Sequence, residues 1–239
     1  MKKRIWELDA ARGLALLGML IVHLIYDLVE LVGVFSWREP AWFLFVKNNC
    51  GFIFLVISGV SASLGSRSLR RGIQVFLCGL LCTAVTGGMY LLGWADRSIV
   101  IYFGVLHCLG VCMVLWHWLR RLPGWLTAGL GLLLTAAGLV LGRLYLDVHW
   151  SLIPLGLCPV WFHSSDYFPL LPNLGFFLLG AELGRMLYRE KKTRLSQINA
   201  DCPPIRLLRT MGTHSLWIYL FHQPVLAGIC LVMKWIVSS

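Results

Sequence analysis

The chain has 239 residues, of which 58% are hydrophobic and only 13% are charged. This composition excludes an ordinary soluble domain, because apolar runs recur along nearly the whole sequence. The formal net charge of +10 at pH 7 first suggests nucleic-acid binding. The Lys and Arg residues lie between the apolar runs, however, as they do in membrane proteins, so we expect a lipid bilayer as partner and no nucleic acid.

Seven apolar segments of helical length predict an all-α integral membrane protein with about seven transmembrane helices. We expect these helices to form one bundle and a single domain over residues 1–239. The predicted helices lie near residues 12–35, 42–65, 72–93, 98–118, 125–145, 171–188 and 213–236.

The distribution of positive charge predicts the orientation of the chain. With a cytoplasmic N-terminus, the Lys and Arg residues fall on the cytoplasmic side, apart from Arg38, Lys47, Arg97, Arg143 and Lys234. This bias follows the positive-inside rule and places the C-terminus outside. We expect a multi-pass protein of a bacterial inner membrane.

One further apolar segment, "WSLIPLGLCPVWF" (150–162), contains Pro154 and Pro159. It is shorter than the ~20 residues that a transmembrane helix needs. Its length and its prolines therefore predict a re-entrant or interfacial segment.

The first predicted helix carries three ionisable residues on one stripe. The step from Arg12 to His23 amounts to three turns plus roughly 20° at ~100° per residue, and Asp27 follows one turn later. Ionisable side chains inside a bilayer cost ~2.5–3.5 kcal/mol each on insertion scales, so they indicate a functional site. We predict that Asp27 orients the His23 imidazole and that His23 is a general base. A hydrogen-bonded packing cluster is the alternative.

Two other histidines, His107 and His222, fall at a depth similar to that of His23 in their helices. We predict that they line a polar cavity shared with His23, where they bind an acceptor substrate or stabilise an oxyanion. Hydrogen bonding between helices, without contact to a substrate, is the alternative. No ligand spacing joins them on one helix, so we expect no metal. Three neighbouring residues are candidates for the same cavity: Tyr219, Asn48 and Asn49.

Arginines mark the predicted cytoplasmic ends of the first and third helices. We predict that four arginines at these ends bind phosphate groups: Arg12, Arg67, Arg70 and Arg71. A phosphorylated molecule with a long thin arm would then reach His23 with its other end. Coenzyme A thioesters have that shape, so the arginines predict an acyl-CoA site.

The predicted outer loop, residues 146–170, is a candidate for contact with an acceptor from the other side of the membrane. A solvated loop without such a role is the alternative. The polar residues of this loop are Asp147, His149, His163, Ser164, Ser165 and Asp166.

Five blocks follow one another along the chain: "LDAARGLALLGMLIVH", "FLVISGVSASL", "IYFGVLHCLG", "LLPNLGFFLLGAELG" and "SLWIYLFHQPVL". Together they resemble the heparan-alpha-glucosaminide N-acetyltransferase catalytic domain family (the DUF1624 group) of the transmembrane acyltransferase superfamily. The resemblance runs from about residue 4 to about residue 232. The spacing between Arg12 and His23 and the pair Arg67 and Arg70 are also similar to motifs of the related acyltransferase-3 family.

The resemblance implies an enzyme that moves an acyl group, usually acetyl, from cytoplasmic acyl-CoA to an amine or hydroxyl of an extracytoplasmic sugar or glycan. It implies a catalytic role for His23 and donor handling by Arg12, Arg67 and Arg70. The lysosomal members carry a further histidine in the first external loop, whereas "LVGVFSWREPAWF" (31–43) has none. This departure argues against heparan as the acceptor and against an acyl-histidine intermediate in that loop.

A proton-coupled small-molecule transporter is the alternative function, with His23 and Asp27 as a proton relay. The lack of an inverted repeat counts against it. A non-catalytic assembly or lipid-binding module is a third alternative. The sequence leaves N- or O-acylation and a monomer or homo-oligomer open.

Overall fold

A computed structural model describes residues 5–33, 38–143, 149–159, 162–190, 192–195 and 197–238. Helices dominate these ranges, which confirms the predicted all-α class. The α-helices in the described ranges are α1 (Trp6–Asp27), α2 (Ala41–Leu64), α3 (Ser68–Leu91), α4 (Val105–Leu119), α5 (Gly124–Leu141), α6 (Leu170–Leu187), α7 (Pro203–Thr213) and α8 (Ser215–Ser238).

Within the described residues, six helices are long and apolar enough to cross a membrane: α1, α2, α3, α5, α6 and α8. The remaining predicted span corresponds to α4, which is apolar but has only 15 residues. At ~1.5 Å per residue α4 is ~22 Å long, shorter than the ~30 Å hydrocarbon core. Large apolar side chains face outward, including Leu91 (82% exposed) and Trp235 (71% exposed), as contact with lipid requires. The chain is therefore a multi-pass integral membrane protein.

The first helix begins at Trp6 rather than near residue 12. Asp9 and Arg12 do not interrupt it, because Arg12 Nη1 donates to Asp9 Oδ1 at 2.9 Å. Acidic residues in the first turn are also favoured by the helix dipole. At its other end α1 continues into a π-helical turn, Leu28–Val32, which ends at Gly33 in the left-handed conformation (φ 70°).

The fourth helix begins at Val105, later than the predicted residue 98. Two hydroxyl groups of α3 hold the preceding segment outside the helix. Thr86 Oγ1 accepts from the Ile101 N–H at 3.1 Å, and Thr83 Oγ1 donates to the Ile101 carbonyl at 2.6 Å. Both main-chain groups of Ile101 are thus satisfied without a helical turn.

The helix α7, which has 11 residues, was not predicted from the sequence. Arg206 and Arg209 interrupt its apolar positions, so no long apolar run marks it. Its local signal is the pair Pro203 and Pro204 at the helix start, where proline is well tolerated.

The segment predicted to be re-entrant or interfacial forms a short 3-10 helix, Trp150–Leu155, of 6 residues. A helix of this length does not cross a bilayer. The prediction that 150–162 is not a transmembrane helix is consistent with this geometry, although residues 160–161 lie outside the described residues.

The chain divides into two compact units. One comprises Met1–Phe54 and Lys192–Ser239, and the other comprises Leu55–Lys191. The first unit contains α1, α7 and α8, and the second contains α3 to α6, while α2 passes from one unit into the other. One functional domain over residues 1–239 stays a prediction.

In the first unit, α1 and α7 meet backbone to backbone at two glycines. A Cβ atom added to Gly13 would overlap the Leu208 carbonyl group, and one added to Gly212 would overlap the Asp9 carbonyl group. Only glycine permits this approach.

In the second unit, Arg185 of α6 binds backbone carbonyl groups at the C-terminal end of α4. Its guanidinium donates to the carbonyl groups of Arg120 and Leu122 and pairs with Glu182 at 3.2 Å. It also lies over the Trp116 ring, with 4.7 Å between Cζ and the ring centroid. A positive charge at this helix end is favourable, so we assign Arg185 a structural role.

Candidate active site

The first unit brings His23 of α1 into contact with His222 of α8. The two ring centroids are 4.9 Å apart, and the ring planes make an angle of 63°. Both histidines are half-buried. This contact places two imidazoles side by side within the transmembrane helices.

Asp27 lies one turn beyond His23 on α1 and is 1% exposed. Its carboxylate accepts from Gln223 Nε2 of α8, at 3.1 Å to Oδ1 and 3.2 Å to Oδ2. Among the described residues no hydrogen bond joins Asp27 to His23. The carboxylate is thus bound from α8, and the orientation of His23 by Asp27 stays a prediction that no hydrogen bond between the two described side chains supports.

Tyr219 and His222 contact each other one turn apart on α8. The Tyr219 carbonyl lies 2.6 Å from His222 Nδ1, and the two ring centroids are 5.3 Å apart. A carbonyl oxygen only accepts, so Nδ1 carries a proton. In the neutral ring Nε2 is then the nitrogen with the lone pair.

Gln223 is a further residue of this cluster, because it binds Asp27 and directly follows His222 on α8. The sequence places Gln223 beside His222 but gives no sign of its partner on α1. Glutamine in an apolar helix was the available signal, since a buried amide needs a hydrogen-bond partner.

His107 belongs to the second unit and is 2% exposed. Its Nδ1 accepts from the Gly104 N–H at 3.2 Å, and its Nε2 lies 3.3 Å from Thr83 Oγ1. Because Thr83 donates its only hydroxyl hydrogen to the Ile101 carbonyl, Nε2 must be the donor to Thr83. Both ring nitrogens are occupied at the start of α4, so this geometry favours the interhelical role over contact with an acceptor.

Asn48 and Asn49 lie in the first turns of α2. Asn49 Nδ2 donates to the Phe45 carbonyl of the same helix at 2.8 Å, and the Asn48 side chain is exposed. Among the described residues no hydrogen bond or ring contact joins either asparagine to His23 or His222. Their role in the site stays a prediction.

Three polar residues of the predicted outer loop bind backbone groups of the second unit. Ser164 Oγ donates to the Val100 carbonyl and Ser165 Oγ to the Ile99 carbonyl, each at 2.8 Å. Asp166 Oδ2 accepts from the first helical N–H of α4, that of Val105, at 3.1 Å. These contacts give the loop a structural role.

Two histidines of the same loop, His149 and His163, are exposed. His149 Nδ1 lies 3.0 Å from Ser151 Oγ, at the start of the 3-10 helix. Asp147 lies outside the described residues.

The arginines predicted to bind phosphate differ in whether they form an ion pair with a carboxylate of the protein. Arg12 in the first unit is bound to Asp9. In the second unit Arg67 precedes α3, and Arg70 and Arg71 lie in its first turn, where all three side chains are exposed. Among the described residues these three guanidinium groups form no ion pair. A helix start with exposed arginines favours an anion.

A half-buried histidine pair beside a buried carboxylate, carried by transmembrane helices, defines a membrane protein with a polar site inside its apolar fold. The family model described as "Heparan-alpha-glucosaminide N-acetyltransferase, catalytic" matches residues 4–224. The chain belongs to this family, which confirms the resemblance found in the sequence and makes the protein a membrane acetyltransferase by family. No curated protein and no solved structure gives a significant match.

Proposed function

We propose that this protein transfers an acetyl group from cytoplasmic acetyl-CoA to an amine or hydroxyl of a sugar or glycan on the other side of a bacterial inner membrane. The contact between His23 and His222, beside buried Asp27, is the observation that supports this function most directly. Family membership supports the transfer of acetyl.

In the proposed reaction the acceptor nitrogen or oxygen attacks the thioester carbonyl carbon, and His23 accepts the proton that this nitrogen or oxygen loses. A carbon–nitrogen or carbon–oxygen bond forms and the carbon–sulfur bond breaks. The coenzyme A thiolate leaves and receives a proton from the His23 imidazolium, which restores the neutral base. Acetylated acceptor and free thiol are the products.

The sequence left two roles open for His222, namely binding the acceptor and stabilising an oxyanion, and the orientation of its ring favours the first. Its Nδ1 faces the Tyr219 carbonyl, so the neutral ring offers Nε2 as an acceptor. An oxyanion needs a donor. We therefore assign His222 to binding a further N–H or O–H of the acceptor, beside the one whose proton His23 takes, and Tyr219 orients the ring through its carbonyl.

We assign the phosphates of acetyl-CoA to Arg67, Arg70 and Arg71. Their exposed guanidinium groups at the start of α3 suit phosphate oxygens, and the helix dipole adds to the attraction. Arg12 of the first unit stays a proposed phosphate ligand in its own right, but its bond to Asp9 reduces the charge that it presents. The proposal requires the cytoplasmic N-terminus that the charge bias predicts.

Replacing Arg67 or Arg70 by alanine is expected to raise the KM for acetyl-CoA about tenfold, because a hydrogen bond to a charged group contributes ~1.5–3 kcal/mol and solvent screens part of it. Turnover at saturating donor should change much less. The difference from wild type should shrink as salt rises, since salt already weakens the wild-type attraction. Steady-state kinetics of purified variants measures each quantity.

Arg121→Ala is the matched control, because it removes an exposed positive charge just after α4. It should leave the KM unchanged. An unchanged KM in correctly folded Arg67→Ala and Arg70→Ala would remove both residues from the donor site.

The function itself is tested with purified protein, acetyl-CoA and a panel of amino sugars and simple glycosides. Thiol release that depends on the acceptor, together with an acetylated product in mass spectrometry, supports the transferase. In proteoliposomes, proton-driven flux of a solute without thioester turnover would favour the transporter instead.

A further inference from the structure

Gln223 connects α8 to the carboxylate beside the histidine pair. Its Nε2 lies 3.1 Å from one carboxylate oxygen of Asp27 and 3.2 Å from the other. The two residues are far apart in sequence, one near the end of α1 and the other inside α8. This amide–carboxylate contact therefore fixes one helix against the other.

Asp27 depends on this contact. It is 1% exposed, and a buried carboxylate is costly unless it is hydrogen-bonded. In the described ranges no Lys, Arg or His forms an ion pair with Asp27, and Gln223 is its side-chain hydrogen-bond donor. Loss of the Gln223 amide would leave the carboxylate buried without that donor.

The contact lies next to the reacting groups on both helices. Asp27 is one turn from His23, and Gln223 directly follows His222. The two rings touch edge to face with 4.9 Å between centroids, a contact that tolerates a range of angles. The hydrogen bond from Gln223 to Asp27 is directional and therefore constrains the register of the two helices more tightly.

We propose that Gln223 is a positioning residue: by binding Asp27 it holds α8 against α1 so that His222 stays beside His23. This role rests on the proposed acetyltransferase function. It also gives Asp27 a purpose different from orienting His23, because the carboxylate serves as the anchor on α1.

The test compares acetyl transfer by wild type, Gln223→Leu, Asp27→Asn and the exchanged pair Asp27→Gln with Gln223→Asp. Leucine is similar in size to glutamine but cannot donate, so Gln223→Leu should lower kcat about 10- to 100-fold and change the KM for acetyl-CoA by less than about twofold. An asparagine side chain still offers an oxygen to Gln223, so Asp27→Asn should lose less activity. The exchanged pair restores one amide and one carboxylate across the helices and should recover at least about tenfold over Gln223→Leu.

Gln74→Leu is the matched control, because Gln74 is an exposed glutamine within α3. It should transfer acetyl at the wild-type rate. Size-exclusion chromatography and the thermal midpoint in detergent identify variants that do not fold, and the milder Asp27→Asn and the exchanged pair then decide the outcome.

Wild-type kcat in folded Gln223→Leu, or an exchanged pair no better than the single variant, would overturn the positioning role while leaving the transferase in place. A wild-type protein without acetyl transfer to any acceptor would instead overturn the proposed function, and with it the role of Gln223. The two failures are thus distinguished by the wild-type measurement alone.

Discussion

His23→Ala is expected to lower the rate of acetyl transfer by orders of magnitude while the protein stays folded and binds acetyl-CoA. His23 is the imidazole on α1 that contacts His222, and the other ionisable side chains of α1 within one turn of it are exposed Tyr26 and buried Asp27. General-base catalysis typically contributes 10²–10⁴-fold, so kcat should fall by about that factor. Thiol release in steady state and acetyl-CoA binding by calorimetry measure the two effects separately.

His214→Ala is the control for this prediction. His214 belongs to the same unit, is exposed and lies 3.0 Å from the Thr210 carbonyl, away from the ring pair. It should keep wild-type kcat. His107→Ala should behave differently again and lower the thermal midpoint, because both nitrogens of His107 hold the start of α4. Wild-type turnover by folded His23→Ala would end the assignment of His23 as the base.

Gly212→Val is expected to destabilise the protein strongly. A side chain at Gly212 would overlap the Asp9 carbonyl group, and the backbone of α1 cannot move aside as a flexible side chain does. Overpacking a close contact costs ~1–3 kcal/mol, and more where backbone must shift. The thermal midpoint in detergent should fall sharply, and the yield of monodisperse protein should fall with it.

Gly228→Val is the matched control, because Gly228 lies in α8 of the same unit and an added Cβ atom would meet no atom within 4 Å. Valine also has a better helix propensity than glycine, so this variant should be neutral or slightly stabilised. Equal thermal midpoints for the two valine variants would show that α1 and α7 do not meet closely at Gly212.

The fold was largely predictable because membrane helices follow from local composition. A run of ~20 apolar residues has few alternatives in a bilayer, where each backbone group must be bonded internally. α2, α5, α6 and α8 accordingly begin within two residues of their predicted starts. The start of α1 was misplaced since an ion pair between Asp9 and Arg12 makes charged residues acceptable inside the helix. The helix α7 was not predicted because Arg206 and Arg209 interrupt its apolar positions, so that no long apolar run marks it.

The site was predictable only in part. Ionisable residues are rare in apolar helices because they are costly in a bilayer, so His23, Asp27 and His222 can be recognised as site candidates from the sequence. Helical spacing also shows that His23 and Asp27 share a face of α1. It does not show which helix supplies the partner of Asp27, because the spacing within one helix carries no information about its neighbours.

The sequence by itself therefore determined the membrane class, most helix limits, the family and the histidines of the site. Only the tertiary structure decided that His222 meets His23, that Gln223 holds Asp27, and that His107 is bound at the start of α4. The physical reason is the distance along the sequence over which each effect acts. Apolar periodicity and the cost of buried charge act on each segment separately, whereas hydrogen-bond partners are chosen when helices distant in sequence pack together.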